Sequence, residues 1–566
     1  MLQIKTIALV LLSLNLATIA FLGFSYYKHE KINRQLYTQG EEVPVDGVYY
    51  FSEPDIALKL LEKLDIFSVV EDGEIPSAYY RGSNKGFTVN FNYCNEHRSR
   101  IVNHPEIVFA QKNIISDYWL TNKMRSQIIP KFGAVDLHPE VHPHAKKDQA
   151  KYEYEMNPDA NIFYMLNLAF YSKQIGKQYS CLTQASNHIP GHEKVYRKDH
   201  AAQALVEYAR TYADRPTCFN FDRFFPKTWV LSQRDQCKEF FDEFNSPRYQ
   251  QLKQERGVVY FRKIGANVHL GKGVFPVGQS EETYLRRLYQ NGTACGRISD
   301  NNLIQYNIYN PLLIDNRKFH FRTYMLVAST NPVIAYYHDG YLRLSLSEYD
   351  SGSSDLNTFV TNYGVSNPKH KSMSYKEIQE YTSWLFKRFE AYLLEQGKVQ
   401  DPDWLNNYLR PQFKKVMAHL MRMAGGGFFT KSSLFELYGV DFIMDENLDV
   451  WFIEANAMPL IHGFTQETTD LINQVLTDTL EIVTGLLRSR MKRIVIYINA
   501  LTKTAALEGG MDKLDIEEKR MEFRELTKNK FELEYFPSRT NGFERVVDEN
   551  YNGTKRYFGL FDGKCL

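Results

Sequence analysis

Tyr438-Gly439-Val440-Asp441-Phe442-Ile443-Met444-Asp445-Glu446-Asn447-Leu448-Asp449-Val450-Trp451-Phe452-Ile453-Glu454-Ala455-Asn456 is the stretch on which the fold turns. Two apolar runs flank a polar turn, the pattern of a β-hairpin. Glu454 and Asn456 stand two apart and therefore share a face of the second strand. A connecting loop with an even number of residues, such as Asp445–Leu448, puts Asp441 on that face as well. Two carboxylates and one amide oxygen then converge on an otherwise apolar pair of strands. Hard oxygen ligands of this kind suit Mg²⁺ bridging nucleotide phosphates. A hairpin with one solvated face carries the same pattern, so the hairpin does not settle the matter alone.

The complementary charge lies upstream. In Arg317-Lys318-Phe319-His320-Phe321-Arg322-Thr323-Tyr324-Met325-Leu326-Val327, strict alternation places Lys318, His320, Arg322 and Tyr324 on one face and Phe319, Phe321 and Met325 on the other. A row of cations beside a buried sheet suits phosphates or a carboxylate substrate. A solvent-facing antiparallel strand has the same appearance. Further back, Val258-Val259-Tyr260-Phe261-Arg262-Lys263 reads as a short strand ending in lysine, followed by the glycine-rich Gly265–Val274. Glycines permit close backbone approach to phosphate, and a strand-borne lysine adds charge. The spacing matches neither a Walker A loop nor a dinucleotide fingerprint.

The 566 residues suggest three to five domains or subdomains. Lys and Arg total 68 against 67 Asp and Glu, for a net charge of +1, which excludes a globally basic nucleic-acid binder. Apolar residues at 43% exclude a disordered chain. A mean hydropathy of −0.43 excludes a polytopic membrane protein. Residues 7–27 are uncharged, and twenty-one helical residues span about 31 Å, close to a bilayer core. This run reads as a signal anchor, with cleavage near Thr18-Ile19-Ala20 as the alternative. The slight excess of positive charge after it favours a cytosolic body. The six cysteines are scattered without a CxxC pair and indicate neither a zinc site nor a dense disulfide framework. Helices are expected over 157–177, 198–212, 375–396, 404–423 and beyond Thr468, with strands over about 255–345 and 437–456. The histidine-bearing stretch 137–144 reads as a solvated loop because its prolines preclude helical ligand spacing.

The order of these pieces resembles the tubulin tyrosine ligase-like family, whose catalytic fold is ATP-grasp. The resemblance runs from about Asn187 to Gly485. It includes Asn187-His188-Ile189-Pro190-Gly191, Arg197-Lys198-Asp199, Phe225-Pro226-Lys227-Thr228-Trp229, the segment Ile304–Asp315, and the cationic strand. Asp339-Gly340-Tyr341-Leu342-Arg343, Val360-Thr361-Asn362-Tyr363 and the acidic hairpin complete it. The resemblance implies an α+β chain with two lobes whose antiparallel sheets clasp ATP; the N-terminal transmembrane or signal helix read from residues 7–27 precedes them. Its expected divisions are 1–27, an α+β region 28–185, the ligase-like body 186–487, and a tail 488–566.

By the same resemblance Lys263 binds ATP phosphate under a loop of Gly271, Lys272 and Gly273, and Gln305, Tyr306 and Ile308 hold adenine. Lys318, Arg322 and Arg343 surround the phosphates and the acyl-phosphate, Thr361 and Asn362 complete the nucleotide and amino-acid site, and Asp441, Glu454 and Asn456 carry Mg²⁺. The implied activity is ATP-dependent joining of a free amino acid (Glu, Tyr or Gly) to a protein carboxylate, with tubulin or microtubules as partner and no nucleic acid. A membrane-anchored enzyme with a cytosolic body is expected. A nucleotide- or microtubule-binding relative without catalysis, and a lumenal ligase with a different target, are the alternatives. Three departures bear on activity: His320 stands where the family has Asp, Phe359 where it has His, and Tyr306-Asn307 where it usually has Lys-Tyr. The run Arg488-Ser489-Arg490-Met491-Lys492-Arg493 reads as a solvated helix end or part of a basic groove for acidic tails.

Overall fold

A computed structural model describes residues 48–64, 91–109, 114–116, 135–136, 162–164, 181, 183–189, 191–212, 224–264, 273–292, 295, 302–353, 356–359, 374–425, 428, 432–457, 459, 463–537 and 542–550. Four short strands come first: β1 (Ile114–Ser116), β2 (Val135–Asp136), β3 (Ile162–Tyr164) and β4 (Ala185–Asn187). Next are β5 (Thr228–Val230), β6 (Tyr260–Ile264), β7 (Val274–Pro276) and β8 (Asn302–Tyr306). The remainder are β9 (Leu313–Ile314), β10 (Arg317–Thr330), β11 (Val333–Leu344), β12 (Ser383–Leu385), β13 (Leu434–Met444), β14 (Val450–Asn456) and β15 (Glu544–Asp548).

They form two sheets. The smaller is antiparallel throughout, in the order β5-β8-β6-β7. The larger runs β12-β11-β10-β13-β4-β3-β1-β2, with β14 on β13, β15 on β11 and β9 on β10. Its long central pairs are antiparallel. From β13 through β4, β3 and β1 to β2 the pairing is parallel. The expectation of antiparallel sheets is thus corrected in one respect: strands from the region before residue 186 extend the same sheet, which is mixed.

Alternation in β10 explains why this strand is central. Phe319, Phe321 and Met325 are buried in one core, where Phe321 meets Phe386, Phe389 and Phe413 at ring distances of 5.3–5.5 Å. Tyr324 and Leu326 enter the opposite core against the helix Gln466–Glu508. Each such side chain contributes about 1.5–3 kcal/mol on burial. Both faces are covered, so β10 is not the solvent-facing strand its alternation also allowed.

The helix Gln466–Glu508 has 43 residues, begins at a capping box of Thr465 with Thr468 and ends at Gly509 in the left-handed conformation. It passes the expected division at 487/488 without a break. The basic run within it is neither solvated nor a groove. Arg490, 1% exposed, donates to the backbone oxygens of Ser432 and Gln184 and to Asn529 Oδ1 at 2.7–2.8 Å. Arg488 reaches Val108 O at 3.2 Å, Arg493 reaches Lys528 O at 2.7 Å, and Lys492 pairs with Glu534 at 2.8 Å. These side chains tie the front of the chain and its tail to the sheet. The tail also supplies β15, which extends the sheet beside β11.

Other expectations are corrected by tertiary pairing. Within 157–177, where a helix was expected, the described residues Ile162–Tyr164 form β3, paired with β1 and β4. The helix expected over 375–396 is interrupted at β12, because Ser383–Leu385 pair with Tyr341–Arg343 at the edge of β11. Cys237 and Cys295 form a disulfide with Cα atoms 5.6 Å apart, which the scattered cysteine spacing did not indicate. The loop 137–144 lies outside the described residues. The expected membrane anchoring is corrected here: among the described residues no helix is long and apolar enough to cross a membrane, and the run 7–27 lies outside them.

Replacing Arg490 with Met removes the donor to the buried Gln184 oxygen and to Asn529 Oδ1, and leaves Ser432 O with Asn529 Nδ2 alone. Loss of roughly 3–5 kcal/mol is expected. Denaturant unfolding of the variant checks this, and an unchanged midpoint would contradict the clamp.

Candidate functional site

The site begins in the acidic hairpin, and its geometry is subtler than the pattern. Met444 pairs with Val450, so the loop holds five residues, 445–449, and not the expected even number. Without correction that loop would set Asp441 opposite Ile453 and turn Glu454 to the other face. A bulge between Phe442 and Asp441 absorbs one residue and restores the pairing, Asp441 with Glu454 and Gly439 with Asn456. The turn is held by Asp445, whose Oδ1 accepts from the backbone of Asn447 and Asp449 at 2.9 and 3.1 Å. The Trp451 indole donates to its Oδ2 at 3.0 Å.

Asp441, Glu454 and Asn456 therefore do come together. Asn456 Nδ2, as its amide is oriented, lies 3.5 Å from Asp441 Oδ2 and 3.3 Å from Glu454 Oε1. Each carboxylate has its own cation. Arg322 grips Asp441 through two hydrogen bonds, Nε to Oδ1 at 2.5 Å and Nη2 to Oδ2 at 2.9 Å. Lys198, at the start of the helix Lys198–Thr211, lies 3.1 Å from Glu454. Burial would raise the Glu454 carboxyl, but Lys198 and Lys263 outweigh it and hold it at about 2. Burial raises Asp441 above its ordinary value even against Arg322.

The phosphate-type cations gather from both sheets. Lys263, at the end of β6, donates to Gln305 Oε1 at 2.6 Å, and Gln305 in turn donates to Thr228 Oγ1 at 2.8 Å. Lys318 is 4% exposed, its ammonium 5.6–5.9 Å from the centres of three rings, Tyr349, Phe359 and Phe261. Phe359 thus has a place: it closes an aromatic box around Lys318. Burial lowers Lys263 to about 8, and burial with Lys263 nearby lowers Lys318 to about 7. His320 is pushed down to about 3 by burial, Arg322 and Arg343, so it is neutral at physiological pH and does not replace the acid's charge.

Arg343 donates to Gln379 at 2.6 Å and to Ser383 at 2.8 Å, with its guanidinium 4.0 Å over the Phe464 ring. Its register partner across the strands is His320, which puts it on the face of the cationic row. Tyr306 donates to Glu243, and its ring lies 5.5 Å from Trp229. Asn307 donates to Val258 O at 2.9 Å, and Ile308 is buried beside it. Gly273 is buried at the entry to β7. Gly271, Lys272, Thr361 and Asn362 lie outside the described residues.

A cleft opens here, lined by Lys198, Thr228, Lys263, Gln305, Phe452 and Glu454. Lys198 and Thr228 stood within quoted motifs but carried no role there. The signal for Lys198 was a lysine at a helix start, where a cation opposes the helix dipole and needs a carboxylate partner. The donor set of two carboxylates and an amide fits a hard divalent cation, and the surrounding cations fit a polyphosphate.

Two sheets meeting at a cleft with facing carboxylates and converging lysines define a mixed α+β protein. The family model described as Tubulin-tyrosine ligase family matches residues 174–493, and the chain belongs to that family. It is 28% identical to the inactive polyglycylase TTLL10 of Homo sapiens over 325 residues, 55% of this chain and 46% of that protein. It is 26% identical to the probable beta-tubulin polyglutamylase of Tetrahymena thermophila, covering 72% of this chain and 33% of that one. Against the probable tubulin polyglutamylase TTLL9 of Mus musculus it is 26% identical, covering 57% and 72%. The chain spans about half the length of the first of these relatives.

Polyphosphate binding favours protonated lysine. ATP affinity is therefore expected in full below about pH 7 and should fall about tenfold or more as pH rises through the values of Lys318 and Lys263. Phe359→Ala, by opening the box to water, should move that fall to higher pH. Calorimetric titration at pH 6.5, 7.5 and 8.5 checks both, and a flat profile for the parent chain would contradict the lysine assignment.

Proposed function

We propose that this chain is an ATP-dependent carboxylate–amine ligase of ATP-grasp type that joins an amino acid to a side-chain carboxylate of tubulin. The observation that carries this reading is the facing pair Asp441 and Glu454, with Lys263, Lys318 and Arg322 coming from the two sheets and Lys198 from a helix start. Joining a carboxylate to an amine in water is unfavourable without activation. ATP as substrate supplies it: transfer of the γ-phosphoryl to the carboxylate gives an acyl-phosphate and ADP, and attack by the amine forms the amide and releases phosphate.

The chain's residues divide this work. Asp441, Glu454 and Asn456 would hold Mg²⁺, which when bound neutralises phosphate charge. Lys263 and Lys318 face the phosphates, and Arg322 and Arg343 stabilise charge on the transferred group and the acyl-phosphate. Thr228 and Gln305 orient Lys263 by hydrogen bonding. Tyr306, Asn307 and Ile308 form the adenine wall, and Gly271, Lys272 and Gly273 the loop above it. Thr361 and Asn362 are assigned to the nucleotide and amino-acid site. Tubulin as partner rests on the relatives named as tubulin polyglutamylases, and glycine or glutamate as the added amino acid on the names of the relatives generally.

A second reading, nucleotide binding without transfer, is favoured by Arg322 occupying both oxygens of Asp441 and by neutral His320 in place of an acid. Incubation of the chain with Mg-ATP, tubulin and labelled Gly, Glu or Tyr decides between them. Transfer of one label is expected, with a loss of at least about a hundredfold in Glu454→Gln. ATP binding without transfer of any label would establish the second reading. Transfer surviving in Glu454→Gln would remove that carboxylate from the metal set.

A further inference from the structure

Away from the cleft, a second cluster of ligating side chains is used by none of these steps. His188 follows β4, His192 precedes the short helix Glu193–Tyr196, and Glu436 lies near the start of β13. His188 Nδ1 is 3.3 Å from Glu436 Oε1, and His192 Nδ1 is 2.9 Å from Oε2. All three ligand atoms lie within 4.8 Å of one another, and none of the side chains is more than 2% exposed.

We propose that His188, His192 and Glu436 form a buried Zn²⁺ site, distinct from the Asp441–Glu454 pair. Two imidazoles and one carboxylate are a ligand set Zn²⁺ accepts, and bonds of about 2.0–2.2 Å in tetrahedral array separate ligand atoms by roughly 3.3 Å. The observed spacings bracket that value. Both Nδ1 atoms face the Glu436 carboxylate at ion-pair distance, and the hydrogen-bond geometry at His192 Nδ1 and Glu436 Oε1 is poorly aligned.

The backbone is committed to the arrangement. His188 has φ 71°, a left-handed conformation that costs a non-glycine residue about 1–3 kcal/mol and that is kept where the surroundings demand it. That turn carries the imidazole back over β13. The side chain of Asn187 lies 3.3 Å from His188 Nε2, the outer contact that fixes a ligating ring. The Ile189 amide donates to Glu436 Oε2 at 3.1 Å and orients the carboxylate. A bound ion would fasten β4 and the helix leading to Lys198 onto β13 five residues before Asp441. It would thus hold the Lys198–Glu454 contact in place whether or not the chain is a ligase.

The test is metal analysis of the full chain, produced with zinc supplied and then dialysed against weak chelator. About one Zn²⁺ per chain is expected. His192→Asn should lower the content at least about tenfold, while Glu454→Gln should leave it unchanged. Replacement by Co²⁺ in the parent chain should give visible d–d absorption of tetrahedral strength, which requires no variant to fold. A chain purified without zinc and lacking the Co²⁺ absorption would overturn the site, as would full zinc content in a folded His192→Asn.

Discussion

The two-pronged contact between Arg322 and Asp441 is the constraint around which the site is assembled. The residues are register partners on adjacent central strands, β10 and β13, so the contact exists only if those strands pair as they do. Desolvating both charges is costly, and the geometry offsets that cost because the guanidinium fork matches the carboxylate. Burial works against the Arg322 charge, but Asp441 outweighs it and holds the guanidinium well above its ordinary value. A shift of β10 by one residue would leave Asp441 buried beside Glu454 with no cation between β10 and β13. That alternative register is penalised twice, by the unpaired acid and by turning Phe319, Phe321 and Met325 out of the core.

Charge in the cleft is balanced locally and in tiers. Glu454 faces Lys198, and Lys263 is braced by Gln305, whereas among the described residues Lys318 sits amid rings and makes no ion pair. Cations buried with little compensation are destabilised in the free protein, and an anion placed beside them would relieve that cost. Phe359 sharpens this by replacing a polar neighbour with an apolar wall. The departures from the family pattern therefore have a physical effect on the lysines even before any question of turnover.

Much of this was legible in the residues. Alternation in 317–327 placed Lys318, His320 and Arg322 on one face and the phenylalanines on the other, because a strand has only two faces. The convergence of Asp441, Glu454 and Asn456 was legible too, though for an incomplete reason: parity of the loop was expected to do what a bulge does. Bulges arise from competition between turn geometry and the pairing on the far side of the strand, which no local pattern encodes. The basic run 488–493 shows the opposite case. Its composition looked like a solvated helix end, yet Arg490 is among the most deeply buried side chains, because the carbonyls of Gln184 and Ser432 need donors that only the assembled fold brings near.

By itself the sequence determined which residues of 317–327 share a face, the pairing of acids with cations as chemical kinds, and membership in a family through an ordered set of short motifs. These depend on periodicity and residue type, which act over a few neighbours. Only the tertiary structure decided which cation meets which acid, that Lys198 belongs to Glu454, that Phe359 boxes Lys318, and that His188, His192 and Glu436 share one buried point. Those contacts join residues as many as some 250 positions apart. Their selection comes from packing two sheets and their helices at once, where burial leaves each polar group only the partner that the surrounding fold supplies.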